Sequence, residues 1–402
     1  MESVAMGEGE KRKTNRSEGC VDYRKFVFCR LMRTDDGLVK RGITGSLLII
    51  MVTTVAMETC SFVSIFMSKQ LQSCLDCVRS FLLGNLVTMV LFNEFANRKR
   101  LARLHDFLNS SMSSPRTDLP EAQEILNKAR EEASSSLRMY IIIFSGNIAP
   151  MILAQPLAEW ISGHSWKKLP IPWAFPPSDS DVKFGLVFTF QCIGVCIANC
   201  LGMVFMSFSS ITIQMTAMFD VLLLSLRRIE NRATIRTQRE EMDYKTSLLY
   251  CLREDVIFYQ QLVREMTSAT PHLRNTFLAF SATVPMIMAC EAYPIISGNF
   301  TIGDLIRSFV FLAIQFTCWA QTCTKLETMT DQHEAVFREI YQTPWSDSGP
   351  VYKRLVYTTL LFSTQPKHIK ARLSNEISAT TSTFYSFVVS SFNWLSIIRK
   401  MN

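Results

Sequence analysis

The chain has 402 residues, 48% of them hydrophobic and 19% charged, with a formal net charge of +7. Soluble domains carry about a quarter charged residues, so composition alone excludes little. Distribution excludes more: charges vanish over stretches of roughly 20 residues, the length a helix needs to cross ~30 Å of hydrocarbon. The Lys and Arg residues sit in blocks between those stretches, which excludes nucleic acid as the partner and makes membrane lipid the expected surroundings.

The opening 42 residues are polar and basic, with Lys11, Arg12, Lys13 and Arg16, and no signal peptide precedes the first apolar run. The first span is predicted over about Ile43–Phe66, and a second over Cys74–Phe95 after a tight loop. Glu58 and Glu291, late in spans one and five, are close enough to an end to reach the interface. A third span, Met139–Ala158, contains Pro150 and Pro156, which lipid tolerates only where neighbouring helices satisfy the freed carbonyls. A segment rich in proline and tryptophan follows at Gly163–Asp181 and reads as an outer loop over 159–182 lying at the interface.

From Phe184 to Leu226 there is no Lys or Arg and one acid, Asp220. Forty-three residues make ~65 Å of helix, about twice the membrane. With no proline or turn pair at the midpoint, a single helix leaving the bilayer is favoured over a hairpin, with cytoplasmic extensions over 212–272. Two more spans follow at Thr276–Ile296 and Ile302–Cys323. Val351–Phe362 is apolar and too short to cross, and Ile377–Ile398 is the last span. The prediction is an all-α membrane protein of seven transmembrane helices. Basic blocks before span one, between spans two and three and after span four place the N-terminus in the cytoplasm and the C-terminus outside. The organisation is then a cytoplasmic segment 1–42, six helices over 43–326, a cytoplasmic region 327–368, and a final helix over 369–402.

In that last helix Ser378, Ser382, Ser386 and Ser390 recur every four residues, and Asn393 and Ser396 continue the line. All fall on one helix face, with Phe384, Phe387, Val388 and Leu395 opposite. Two readings fit: small hydroxyl residues that let membrane helices approach closely, or a polar stripe lining a water-filled pore, with Val389 as a constriction that gates by dewetting. Asp304 and Arg307, one turn apart near the outer end of span six, read as a solvated pair. Asn299 begins a glycosylation sequon on a very short outer loop.

No enzymatic signature is present: there is no GxSxG, no HExxH and no glycine-rich phosphate loop. The five histidines are scattered singly, mostly in expected loops. The twelve cysteines read as buried thiols rather than a disulfide framework. Cys74 and Cys77 form a lone CxxC, too little for a zinc site, and no metal or cofactor is expected.

The C-terminal third resembles the insect odorant receptor family. The carrying residues are the run from Tyr341 to Trp345, the short helix Lys353–Phe362, Gln365-Pro366 with Ala371, Thr383-Phe384, and Ser390-Ser391-Phe392. The resemblance implies a seven-helix subunit of a tetrameric, non-selective cation channel, in which an odour-specific receptor assembles with a shared co-receptor subunit in the plasma membrane of olfactory neurons. It implies that the last helix lines the pore through Ser382, Ser386, Val389, Ser390 and Asn393. Cytoplasmic parts, here Tyr341, Trp345 and Leu355, would anchor the subunits. A small volatile or lipophilic ligand would sit in an apolar pocket, for which Phe81, Met151, Phe188, Gln191 and Phe311 stand at suitable depth. Phe392 replaces a commonly found tyrosine. The related gustatory receptors usually carry a Thr-Tyr…Gln-Phe signature that is absent here, so a gustatory-type channel is the nearest alternative and a G-protein-coupled receptor a more distant one. The short loop over 227–272 lacks the insertion usual in the co-receptor.

Overall fold

A computed structural model of the chain describes residues 37–68, 71–113, 119–161, 181–199, 201–298, 302–363, 370–373, 375–378 and 380–400. The basic N-terminal run, most of the proline-aromatic loop, Asn299, His164, His368 and Gln365-Pro366 lie outside them, as do the side chains of Met151, Asp304 and Arg307. The elements are α1 (Gly37–Met67), α2 (Leu71–Ser113), α3 (Pro120–Ile161), α4 (Asp181–Asn199), α5 (Leu201–Arg227), α6 (Ile229–Glu240), α7 (Tyr244–Ser297), α8 (Ile302–Gln342) and α9 (Pro350–Ser363). A short hairpin of β1 (Lys370–Leu373) and β2 (Asn375–Ser378) follows, and α10 (Thr381–Lys400) ends the described chain.

Several helices are far longer than a bilayer is thick. At 1.5 Å per residue the 54 residues of α7 span ~81 Å and the 43 of α2 ~65 Å, so each continues out of an apolar stretch into a polar one. Among the described residues, Ser73–Ser111, Phe208–Arg227 and Tyr244–Ser297 contain windows long and apolar enough to cross a membrane, and Val52–Met67 is a shorter apolar stretch. The other expected spans coincide with parts of α3, α4, α8 and α10.

The 43-residue apolar run divides into two environments. On α4, Val182, Leu186 and Ile193 are exposed, whereas 83% of the apolar window on α5 is buried inside the protein. An all-apolar helix is either a membrane span or a core helix, and this run supplies both in turn. The two segments flank Cys200 and share few contacts. Helices folded back on each other would pack along their lengths; instead α5 packs on α3 and α8.

The ends of the central helix are set locally. Asp243 caps α7, its carboxylate accepting from the backbone N of Lys245 (3.1 Å) and Thr246 (3.4 Å). Glu241, with φ of 51°, ends α6 in the left-handed conformation, so the chain reverses at once and α6 lies back along α7. At its far end α7 stops at Gly298, whose φ of 74° suits a residue without a Cβ.

Two sequence expectations are corrected. The last helix begins at Thr381 rather than Ile377, because residues 370–378 pair as an antiparallel hairpin with Ala371 opposite Ile377. Ser378 is therefore in β2 and drops out of the helical stripe. The histidines are not loop residues throughout: His272 and His333 are buried on α7 and α8, and His105 is on α2.

Where α5, α6 and α7 meet, Arg232 and Asp255 are both almost fully buried. Arg232 Nη1 donates to Asp255 Oδ2 (2.9 Å) and to Ser225 Oγ (2.6 Å), and Ser225 Oγ donates to Asp255 Oδ1 (2.6 Å). Next to it, the hydrogen bond to Glu254 holds the Arg236 guanidinium above its ordinary pKa. Replacing Arg232 by Leu strands a buried carboxylate, which costs about 3–5 kcal/mol. The expected result is a clear fall in the thermal midpoint of the solubilised protein, largely restored in the Arg232→Leu, Asp255→Leu double variant. A single variant that melts with the wild type would remove this pair from the account.

Candidate functional site

The last helix is held from behind and left bare in front. Phe387, Ser391, Leu395 and Ile398, spaced by four, four and three, form its buried face. Phe387 stacks on Trp319 of α8 at 5.1 Å between ring centroids, and Trp319 in turn stacks on Phe277 of α7 at 5.4 Å. Phe384 meets Phe316 edge-on at 5.8 Å. One turn earlier, the backbone N of Thr381 donates to Glu327 Oε2 of α8 (3.0 Å), and the Thr381 hydroxyl donates to the same oxygen. A carboxylate at this position satisfies an orphan N–H and meets the positive end of the helix dipole.

The opposite face carries Ser382, Ser386, Val389 and Asn393, all exposed, with Tyr385 and Phe392 beside them and Ser390 half-buried at the flank. Of the residues expected to back this face, Phe387 and Leu395 are buried and Phe384 and Val388 half-buried. The serine stripe is thus not used to pack α10 against its own chain. A polar stripe interrupted by Val389 faces away from the bundle.

The other sequence candidates are dispersed. Phe81 is half-buried on α2, its ring 5.4 Å from Phe62 of α1. Phe188 is half-buried on α4, 5.9 Å from Phe184, and Gln191 is fully buried on the same helix. These helices touch, and α1 wedges between them. A Cβ at Gly84 would stand 2.7 Å from Glu58 Cγ, and one at Gly194 would collide with Met57. Met151 is on α3. Phe311, buried on α8, stands apart, because α8 packs chiefly on α3, α5, α7, α9 and α10. Tyr341 is exposed and Trp345 half-buried, with rings 6.0 Å apart and Trp345 Nε1 donating to the Tyr341 carbonyl (3.0 Å). Leu355 is half-buried on α9.

Sequence reasoning missed the buried polar ties. Glu291 does not reach the interface: it is fully buried, with Oε1 2.8 Å from Arg79 Nη1 of α2 and Oε2 accepting from Ser308 Oγ of α8 (2.9 Å). Glu58 accepts from Thr88 Oγ1 (2.7 Å). Asn93 of α2 donates to the His272 carbonyl (2.9 Å) and to Thr276 Oγ1 (2.8 Å), and His272 Nε2 lies 3.0 Å from Glu94 Oε1. Tyr259 and His333 Nε2 are 3.1 Å apart. A helical pattern in which Arg79 falls inside an apolar stretch was the one available signal.

Between α3, α5 and α8 lies an open cleft of about 510 Å³. Its polar lining includes Lys128, Glu132, Asp220, Arg227 and Lys325, set against apolar walls from Ile125, Ala129, Ile213 and Leu223. Arg227 Nη2 is 2.7 Å from Glu339 Oε1, and Lys325 forms an ion pair with Glu132.

A family model described as 7tm Odorant receptor matches residues 76–392. The chain is similar in fold to the insect olfactory receptor OR5 from Machilis hrabei, with a TM-score of 0.74 and 9% sequence identity, over 92% of this chain and 93% of that one. The same receptor in complex with eugenol matches with a TM-score of 0.73 and 10% identity, again over 92% and 93%. No individual curated protein matches in sequence.

The Glu327 cap makes a local prediction. Glu327→Ala removes the acceptor of the Thr381 N–H at a cost of about 1 kcal/mol. Backbone amide exchange over 381–384 is expected to quicken about fivefold while exchange in α7 stays unchanged. Identical exchange in both proteins would mean that Glu327 does not hold the start of α10.

Proposed function

Because this chain belongs to the 7tm odorant receptor family, we propose that it is the ligand-sensing, odour-tuned subunit of an odorant-gated, non-selective cation channel. The observation that carries the channel reading is the exposed face of α10. Ser382, Ser386, Ser390 and Asn393 offer hydroxyl and amide groups to passing hydrated cations, and Val389 narrows the stripe with an apolar ring that dewets when copies of α10 come together. Every aromatic anchor of α10 lies behind it, on α7 and α8. A displacement of those helices is therefore delivered to the pore face through Phe387, Trp319 and Glu327.

The subunit has seven crossings, a cytoplasmic N-terminus and an extracellular C-terminus, in the plasma membrane of olfactory sensory neuron dendrites. It assembles as a heterotetramer with a co-receptor, anchored through Tyr341, Trp345 and Leu355 at the cytoplasmic end. The immediate reversal from α6 into α7 at Glu241 supports the tuned subunit over the co-receptor, since it leaves no room for a long insertion. The ligand is a small volatile or lipophilic molecule held where the helices of Phe81, Phe188 and Gln191 meet, beside Met151 of α3 and apart from Phe311. The eugenol complex of the Machilis hrabei receptor supports a small organic ligand. Ligand opens the channel only through higher affinity for the open arrangement.

Co-expression with a co-receptor and current recording across an odour panel tests the reading. A defined set of odours is expected to evoke current; surface-expressed protein that ignores every ligand would sink it. Cysteines introduced as Ser386→Cys and Val389→Cys are expected to let a charged, water-soluble thiol reagent cut the evoked current severalfold, whereas Phe387→Cys is unaffected. If Phe387→Cys reacts instead, the pore face is wrongly assigned. An epitope tag after Asn402 is expected to bind antibody on intact cells. Binding only after permeabilisation would refute an odd number of crossings.

A further inference from the structure

We propose that the cleft between α3, α5 and α8 binds a phospholipid with a zwitterionic headgroup bearing a primary ammonium, as in phosphatidylethanolamine. The charge arrangement carries the argument. Two of the three cations lining the cleft are already neutralised: Arg227 by Glu339 at 2.7 Å, and Lys325 by Glu132. That leaves Lys128 and Asp220, neither of which makes a hydrogen bond or a close ion pair among the described residues, although both Lys128 and Arg227 act on Asp220 at longer range. One cation and one anion without a close partner share a cleft of about 510 Å³. A strongly anionic headgroup would meet a single available ammonium and be repelled by Asp220. A zwitterion satisfies both groups, its phosphate on Lys128 and its cation on Asp220.

Hydrogen-bond inventory distinguishes the kind of cation. The hydroxyl protons of Thr216 and Thr328, which also line the cleft, are committed to the carbonyls of Thr212 (2.9 Å) and Thr324 (2.9 Å). With the Asp220 carboxylate they present acceptors only. A primary ammonium brings three N–H donors to these acceptors and a quaternary choline brings none. The apolar walls, Ile125, Ala129, Ile213 and Ala217, suit the glycerol and first acyl carbons. A lipid therefore fits the cleft better than a free phosphoamine. The inference rests on the proposed placement of this end of the bundle at the cytoplasmic boundary, where a headgroup resides.

The test uses the full-length receptor purified with its co-receptor, stripped in detergent and equilibrated with vesicles of equal phosphatidylethanolamine, phosphatidylcholine and phosphatidylserine. Retained lipid is counted by native mass spectrometry. Phosphatidylethanolamine is expected to be enriched about tenfold over phosphatidylcholine, and both Asp220→Asn and Lys128→Gln are expected to abolish that enrichment. Asp331→Asn, an exposed acid elsewhere on α8, leaves it intact. Thermal midpoints in lipid-free detergent, equal to wild type, separate lost binding from misfolding; should Asp220→Asn misfold, Lys128→Gln decides the case. Equal retention of the ethanolamine and choline lipids, a preference for phosphatidylserine, or enrichment that survives both substitutions would each overturn the proposal. So would competition by water-soluble glycerophosphoethanolamine at the lipid's own concentration. Odour-evoked current is recorded on the same preparation, so a failed receptor reading registers separately from a failed lipid site.

Discussion

A charge or amide withdrawn from water must find its partner inside the protein, and in this bundle most of those partners stand on α7. Along its length Asp255 receives Arg232 of α6, Tyr259 meets His333 of α8, His272 meets Glu94 of α2, and Glu291 receives Arg79 of α2. Each tie replaces hydration that neither hydrocarbon nor a packed interior provides. Their spacing means that α2, α6 and α8 are fixed to one rod at several heights rather than at a single point. Apolar surfaces alone would leave rotation and sliding of these helices weakly specified, since lipid tails solvate Leu as well as another helix does.

The same rod supports the candidate conduction surface. Phe277 and Phe280 of α7 flank Trp319 of α8, and Phe387 of α10 stacks on the indole. At the opposite end of α10, Leu395 and Ile398 lie with Ala289, Cys290 and Tyr293 of α7 and with Leu75 of α2, close to the Arg79–Glu291 pair. The front of α10 is left exposed while its back packs on α7, α8 and α2. Ser382, Ser386 and Asn393 stand on the side of α10 that meets none of its neighbours in the chain, together with exposed Tyr385, Val389 and Phe392, which is why the stripe reads as a surface for water, ions or another copy.

The long fourth apolar stretch illustrates how one composition serves two solvents. α4 presents Val182, Leu186 and Ile193 outward, as a lipid-facing helix does. α5 buries Phe219, Leu222 and Leu226 against α3, α7 and α8. Hydropathy responds to both in the same way. Only the surrounding helices distinguish a residue covered by protein from one covered by lipid.

The sequence by itself determined the number and placement of the apolar stretches, the interleaved basic blocks, and the periodicity of the α10 stripe. These are local patterns, written at spacings of three to four or about 20 residues, and helix geometry converts them directly into faces and lengths. It did not determine which buried charge meets which. Arg79 and Glu291, Glu94 and His272, and Tyr259 and His333 are joined across 212, 178 and 74 positions, and no periodicity links residues so far apart. Nor did it reveal that Ser378 pairs in a hairpin, because a four-residue serine repeat is blind to where the helix starts. Those choices belong to the tertiary structure, where the cost of an unpaired polar group inside the bundle selects one arrangement of helices from many with equally apolar faces.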